Sequence, residues 1–176
     1  NGMVAPCRLH QEDFAQAMGI ASSEKYEKGN AGYVRKMFDI LRAHSADPMA
    51  DSLKLWDICV FNYLVGNTDN HIKNLSLLYS EDLRALRLAP AYDIVSTMIY
   101  KSGTDNMSLS IGGVYKLSEI TRECFAKEAA SAGLGTKMAL SRFDIMVAGF
   151  KDALISAGNE LAAMGVKQTG EISEKI

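Results

Sequence analysis

Cysteine is scarce in this chain. The three cysteines, Cys7, Cys59 and Cys124, are odd in number and far apart. That argues against a paired disulfide framework, and no CxxC or Cys/His spacing suggests zinc. An excess of basic charge is also missing. The formal net charge is −2, so the chain lacks the field that drives nucleic-acid binding, and no direct contact with DNA or RNA is expected. No apolar run approaches the roughly 20 residues that a membrane-spanning helix needs. The opening Asn1-Gly2-Met3 carries no signal-peptide pattern, and neither an internal repeat nor a low-complexity tract is visible. A reducing cytoplasm is the expected compartment. What is present is 176 residues, 48% hydrophobic and 23% charged, enough for one globular domain with a real core.

Apolar residues recur at helical spacing in three places. Val34, Met37, Phe38 and Leu41 share one face of a helix expected over 33–43. Leu53, Leu55, Trp56, Cys59, Val60, Tyr63 and Leu64 give a helix over 51–65 a wide apolar face, which Gly66 ends. Phe143, Met146, Val147, Phe150 and Leu154 line a third helix, capped by Ser141 with Asp144 and running through at least 157. Shorter helices are expected over 11–18 and, capped by Ser118, over 118–132. Apolar stretches at 75–79 and 86–88 flank the polar Ser80-Glu-Asp82 and predict a hairpin. Residues 1–10 read as extended, 21–32 as a loop, 101–115 as irregular and 167–176 as a frayed tail. The expected fold class is mainly α, with one small β-hairpin near residues 75–90.

The chemistry concentrates in residues 66–74, Gly-Asn-Thr-Asp-Asn-His-Ile-Lys-Asn, and in a lone Asp93 nineteen residues later. An Asp just past a helix is most often a turn or cap. Here, however, a dense polar segment lies between two apolar elements, where catalytic groups tend to be found. Asp69, Asn74 and Asp93 occur in an order that phosphoryl transfer uses: a carboxylate to accept a hydroxyl proton, an amide five residues on to hold Mg²⁺, and a later carboxylate for the same metal. The hairpin would fold the chain back and bring Asn74 and Asp93 together. His71 has the alternative of a structural hydrogen-bonding residue, Lys73 of a solvated charge, and Asp93 of a turn after Pro90. Cys59 is a poor nucleophile candidate because its helix face should be buried.

Four stretches carry a resemblance: Arg8-Leu-His-Gln-Glu-Asp13, Lys25-Tyr-Glu27, Leu64-Val-Gly-Asn-Thr-Asp-Asn-His-Ile-Lys-Asn-Leu-Ser-Leu77 and Leu88-Ala-Pro-Ala-Tyr-Asp-Ile-Val-Ser-Thr97. Together they resemble the C-terminal domain of HipA-type serine/threonine kinases, the toxins of bacterial toxin–antitoxin pairs, and they run in that family's order. The resemblance implies a kinase C-lobe-like helical domain spanning 1–176. It implies that Asp69 is the catalytic base, that Asn74 and Asp93 bind Mg²⁺, and that His71, Ile72, Lys73, Asn74, Tyr92 and Asp93 lie along ATP. The implied partners are a protein substrate, such as a translation factor or an aminoacyl-tRNA synthetase, and an antitoxin protein.

The departures from eukaryotic kinases are informative. No Gly-x-Gly-x-x-Gly and no strand lysine in a Val-Ala-Ile-Lys setting are present. Asn67-Thr-Asp69 and Tyr92-Asp-Ile94 stand where His-Arg-Asp and Asp-Phe-Gly would be. The expectation is therefore a C-terminal lobe without its nucleotide-covering partner, inactive or nearly so by itself. The alternatives are a pseudokinase or interaction domain that binds an antitoxin without chemistry, and a small-molecule kinase of related architecture.

Overall fold

The computed structural model describes residues 8–100, 103–167 and 169–170. Cys7, most of the segment expected to be extended and most of the frayed tail lie outside these residues. The chain runs β1 (Gln11–Asp13), α1 (Phe14–Ala17), α2 (Tyr33–His44), α3 (Pro48–Leu64), β2 (Ser76–Tyr79), β3 (Leu86–Leu88), β4 (Asn106–Ile111), β5 (Val114–Lys116), α4 (Arg122–Ser131) and α5 (Thr136–Ala163). Helices dominate, and the strands form two small antiparallel sheets, β1-β2-β3 and β4-β5.

The two helices with the clearest periodicity form nearly as expected. α3 begins three residues earlier, because Asp47 accepts a hydrogen bond from the Ala50 amide at 3.1 Å and Pro48 occupies the first turn, where a missing N–H costs nothing. Its buried face meets α2 and α5. Trp56, 1% exposed, donates its indole N–H to the Ala139 carbonyl at 2.9 Å. Trp56 also packs edge-on against Phe125, whose ring centroid is 5.8 Å away, and Phe125 sits 4.5 Å from Phe143. This aromatic stack joins α3, α4 and α5 into one core with Met37, Phe38 and Leu41 of α2. Cys59 lies within it, and burial pushes its thiol up to about 12, which leaves no thiolate for chemistry.

Four sequence expectations are corrected. Residues 11–18 are not one helix. Residues 11–13 pair with β2, Gln11 opposite Leu78, and Asp13 then caps a four-residue helix through the Gln16 amide at 2.8 Å. A strand partner 67 residues away cannot be read from local propensity. Residues 106–111 and 114–116 are strands rather than irregular chain. The Met-Ser-Leu-Ser-Ile alternation was the available signal, but it is blurred because the serines are buried too. α4 starts at Arg122 after a 3₁₀ turn at Leu117–Glu119, so Ser118 is not its cap. α5 starts at Thr136 and runs 28 residues, so Ser141 and Asp144 are interior. Asp144 instead forms a paired-arm ion pair with Arg122 at 2.8 Å.

Glu128 of α4 is buried against the β4–β5 turn, with one oxygen accepting from the Gly112 amide at 2.8 Å. Burial pushes its carboxyl up from the ordinary 4.5. The Gly112 N–H opposes the rise, and the charge of Glu27 reinforces it. A carboxyl with a raised folded pKa holds its proton in the native state longer than in the unfolded chain. Its contribution is therefore full below 4.5 and is lost as pH climbs through the folded value. Glu128→Gln, which keeps an acceptor for Gly112 and removes the ionisation, is expected to flatten the fall in stability across that window. Urea unfolding at a series of pH values checks this, and an unchanged slope would refute the assignment.

Candidate active site

α3 ends at Leu64, and Gly66 at φ +66° turns the chain back across the helix end. The segment that follows is tied down on three sides. Asn67, 1% exposed, donates from Nδ2 to Asn62 Oδ1 at 2.7 Å and to the Asp93 carbonyl at 3.1 Å. Thr97 Oγ1 accepts from the Thr68 amide at 3.0 Å and donates to the Gly66 carbonyl at 2.8 Å. Ser108 of β4 donates both its amide, at 2.9 Å, and its hydroxyl, at 2.6 Å, to the Thr68 carbonyl. Asn67, Thr68 and Asn70 are buried by this arrangement, while Asp69 between them is exposed. A rigid loop thus presents one carboxylate to solvent.

Asp69 Oδ1 accepts from the Tyr26 hydroxyl at 3.0 Å, and Oδ2 carries no hydrogen bond among the described residues. The Asn74 amide group donates to the Asp69 carbonyl at 3.2 Å, which leaves its own Oδ1 without a partner among the described residues. Asp93 adopts φ +55°, a left-handed conformation that Asp and Asn tolerate better than most residues. The Asn67 amide on its carbonyl holds it there.

His71 is buried two residues past Asp69. It is 6% exposed, its ring meets Tyr26 edge-on at 5.4 Å, and Lys25 Nζ stands 2.8 Å from Nε2. Desolvation pulls its pKa below the ordinary 6.5, and the Lys25 charge pulls the same way. Asp69 and Asp93 both oppose them, so both carboxylates act on one imidazole. An ammonium can only donate, so Nε2 is the acceptor and the proton is assigned to Nδ1. That buried Nδ1 has no partner among the described residues.

The other expected nucleotide residues are placed less uniformly. Lys73 Nζ lies 3.6 Å from Asp13 and 3.3 Å from Ser22 Oγ. The Tyr92 hydroxyl donates to the Lys73 carbonyl at 2.7 Å and is 2.6 Å from Ser76 Oγ. Ile72 is fully buried in the core, so only its main chain is available to a ligand. Sequence reasoning gave no role to Tyr26, Asn67, Thr97 or Ser108. Lys25-Tyr-Glu27 carries only a family resemblance, and nothing local says that its side chains reach a loop more than forty residues away.

Among the described residues no cluster of three His, Cys, Asp or Glu side chains could hold a metal. Asn74 and Asp93 offer one amide oxygen and one carboxylate. That set fits Mg²⁺, which takes oxygen ligands, needs only one or two carboxylates and completes its shell with phosphates and water.

The fold and this loop define a HipA-like C-terminal domain: that family's profile matches residues 3–154, and the chain belongs to the family. It is 37% identical over 140 residues to a Sinorhizobium fredii protein named "Putative kinase Y4mE", covering 80% of this chain and 33% of that one. It is 28% identical over 145 residues to the serine/threonine-protein kinase toxin HipA of Shewanella oneidensis, covering 76% and 33%. The chain thus spans about a third of the length of these relatives. The solved complex of Shewanella oneidensis HipA with HipB and operator DNA matches the fold with a TM-score of 0.81 at 20% identity, over 99% of this chain and 43% of that one. No helix among the described residues is long and apolar enough to cross a membrane.

Proposed function

We propose that this chain is the helical catalytic lobe of a serine/threonine protein kinase that transfers the ATP γ-phosphoryl group to a protein hydroxyl. The observation that carries the reading is the solvent-exposed Asp69 on a loop held by buried Asn67 and Thr68, together with the free oxygens of Asp69 and Asn74. In this reading Asp69 Oδ2 takes the acceptor hydroxyl proton as the hydroxyl oxygen bonds to the γ-phosphorus and ADP leaves with the bridging electron pair. Tyr26 fixes Asp69 through its other oxygen. Asn74 and Asp93 would hold the metal, and His71 and Lys73 would lie along the nucleotide, with Lys73 supplying a positive charge on the phosphate side. Mg²⁺, when bound, offsets the charge that builds on the phosphates. The relatives' names support kinase chemistry, and an antitoxin partner and a toxin role follow by the same analogy; a cytoplasmic setting is part of this reading.

Calorimetry of ATP binding to the full-length protein, with and without Mg²⁺, tests the metal assignment. Asp93→Asn keeps a residue that accepts φ +55° but removes the charge. It is expected to lose the Mg²⁺-dependent part of the affinity. Equal Mg²⁺ dependence in both proteins would end the assignment.

A further inference from the structure

A cavity of about 310 Å³ opens between α4 and the β4–β5 turn. Its lining includes Glu27, Asn30, Gly112, Lys127, Glu128 and Ser131. None of Asp69, His71, Lys73, Asn74, Tyr92 or Asp93 reaches it, so it has no part in the chemistry proposed above.

Two buried carboxylates meet there. Glu27 and Glu128 are each 7% exposed. They hold the chain at neighbouring points: Glu27 accepts from the Ser110 amide at 2.7 Å, and Glu128 from the Gly112 amide at 2.8 Å. The charge of Glu27 is felt at Glu128, and among the described residues neither forms an ion pair with a lysine, arginine or histidine. The two are satisfied unequally. Glu27 also accepts from Gly32 N at 2.6 Å, Tyr33 N at 3.0 Å and Ser110 Oγ at 2.9 Å, so donors occupy both its oxygens. Glu128 has the Gly112 amide on Oε2, while Oε1 has no hydrogen bond among the described residues. A buried charge is normally paired, and this one lacks its partner at the wall of a cavity. The wall itself is fixed by backbone. Gly112 adopts φ +60°, and a Cβ there would lie 2.5 Å from the Cys124 carbonyl oxygen. Glycine alone lets the turn press this close to α4.

We propose that this cavity binds a primary ammonium group. A metal ion fits poorly, because the oxygens of Glu27 are taken and one carboxylate oxygen remains for a shell that needs six or more. A guanidinium is best matched by both oxygens of a carboxylate, and the Gly112 amide already holds one. An ammonium brings three donors and no acceptor. Glu128 Oε1 takes one of them, and the side-chain oxygens of Asn30 and Ser131, both on the lining, are acceptors for the others. Lys127 is exposed at the rim and pairs with neither carboxylate, so the place stays open. The same group ends a lysine side chain and a free alkylamine.

The test is calorimetric titration of the full-length protein with N-acetyl-lysine methylamide, at mildly alkaline pH so that Glu128 is ionised. Binding is expected, and the uncharged N-acetyl-norleucine methylamide should not bind. Glu128→Gln keeps an acceptor for the Gly112 amide and removes the charge, and it is expected to weaken the lysine compound about tenfold. Asn30→Asp serves if Glu128→Gln does not fold. Its position is exposed, and Asp also tolerates the local φ of +57°. It should tighten binding by a smaller factor, since a rim charge is screened by solvent. n-Butylamine separates the two sources. Tighter binding of the lysine compound supports the site as a seat for a polypeptide side chain, and tighter binding of butylamine supports it as a seat for a free amine. No binding to the wild type, equal binding of the norleucine compound, or an unchanged affinity in the folded variants overturns the site. Tight binding that appears only in Lys127→Met would make Lys127 the occupant and overturns it as well.

Discussion

Asp69→Asn is expected to reduce phosphate transfer by the full-length protein by about 10²–10⁴-fold, the usual contribution of a positioned general base. The substitution is nearly isosteric and keeps an acceptor for the Tyr26 hydroxyl. Asp69 is exposed while its neighbours Asn67, Thr68 and Asn70 are buried, so the hydrogen bonds that shape the loop do not pass through its side chain. The thermal midpoint should therefore stay within about a degree of wild type, since surface substitutions away from such networks change stability little. Radiolabelled transfer measured beside a melting curve checks both halves. Transfer at the wild-type rate would remove Asp69 from the mechanism. Lost transfer with intact Mg²⁺-ATP binding would separate a base from a nucleotide ligand, and would separate a kinase from a binding domain that does no chemistry.

Asp51→Ala should have the largest effect on stability, about 1–3 kcal/mol, because it leaves the buried Leu88 amide without its acceptor and removes the buried end of an ion pair whose other end, Arg87, is half-exposed. Asp51 sits in the first turn of α3 and is fully buried. It accepts from Arg87 Nε at 2.9 Å and Nη2 at 3.0 Å, from Ser45 Oγ at 2.5 Å and from the Leu88 amide at 2.9 Å. One carboxylate therefore pins β3 to the start of α3. Burial alone would raise its pKa, but the bonds from Arg87, Ser45 and Leu88 outweigh it and hold the carboxyl below the ordinary 3.8. A depressed folded pKa contributes stability above 3.8, lost as pH falls through the folded value. Denaturant unfolding at neutral pH measures the main effect. A loss under about 1 kcal/mol would mean the pair contributes no more than a surface salt bridge. Because β3 leads directly into residues 89–93, a frayed β3 should also loosen Asp93. Asp51→Ala is therefore expected to weaken Mg²⁺-ATP binding without touching the site.

How much of this was legible in advance depended on the range of the interactions. α2 and α3 were readable because their apolar stripes repeat within a few residues. The hairpin at β2 and β3 was readable because its strands are short, apolar and separated by a polar turn. β1, β4 and the long reach of α5 were not. Each is settled by a partner far along the chain: Leu78 for Gln11, Glu27 and Thr68 for the β4 serines, and α3 and α4 for α5. The candidate site divided in the same way. Asp69, Asn74 and Asp93 stood out by residue type, order and spacing. Tyr26, Lys25 and Asn67 did not, since a phenol, an ammonium and an amide in loops have no local signature.

From its sequence alone, this chain determined its helical class, its apolar faces and the types of group available for phosphoryl transfer. These follow from periodicity and side-chain chemistry, which act locally. Only the tertiary structure decided that Asn67 would tie Asp93 to the end of α3 and that Tyr26 would hold one oxygen of Asp69. Those outcomes depend on hydrogen bonds between residues 26 to 43 positions apart. Contacts at that range form only once the core has brought the segments together, so no local window of residues can encode them.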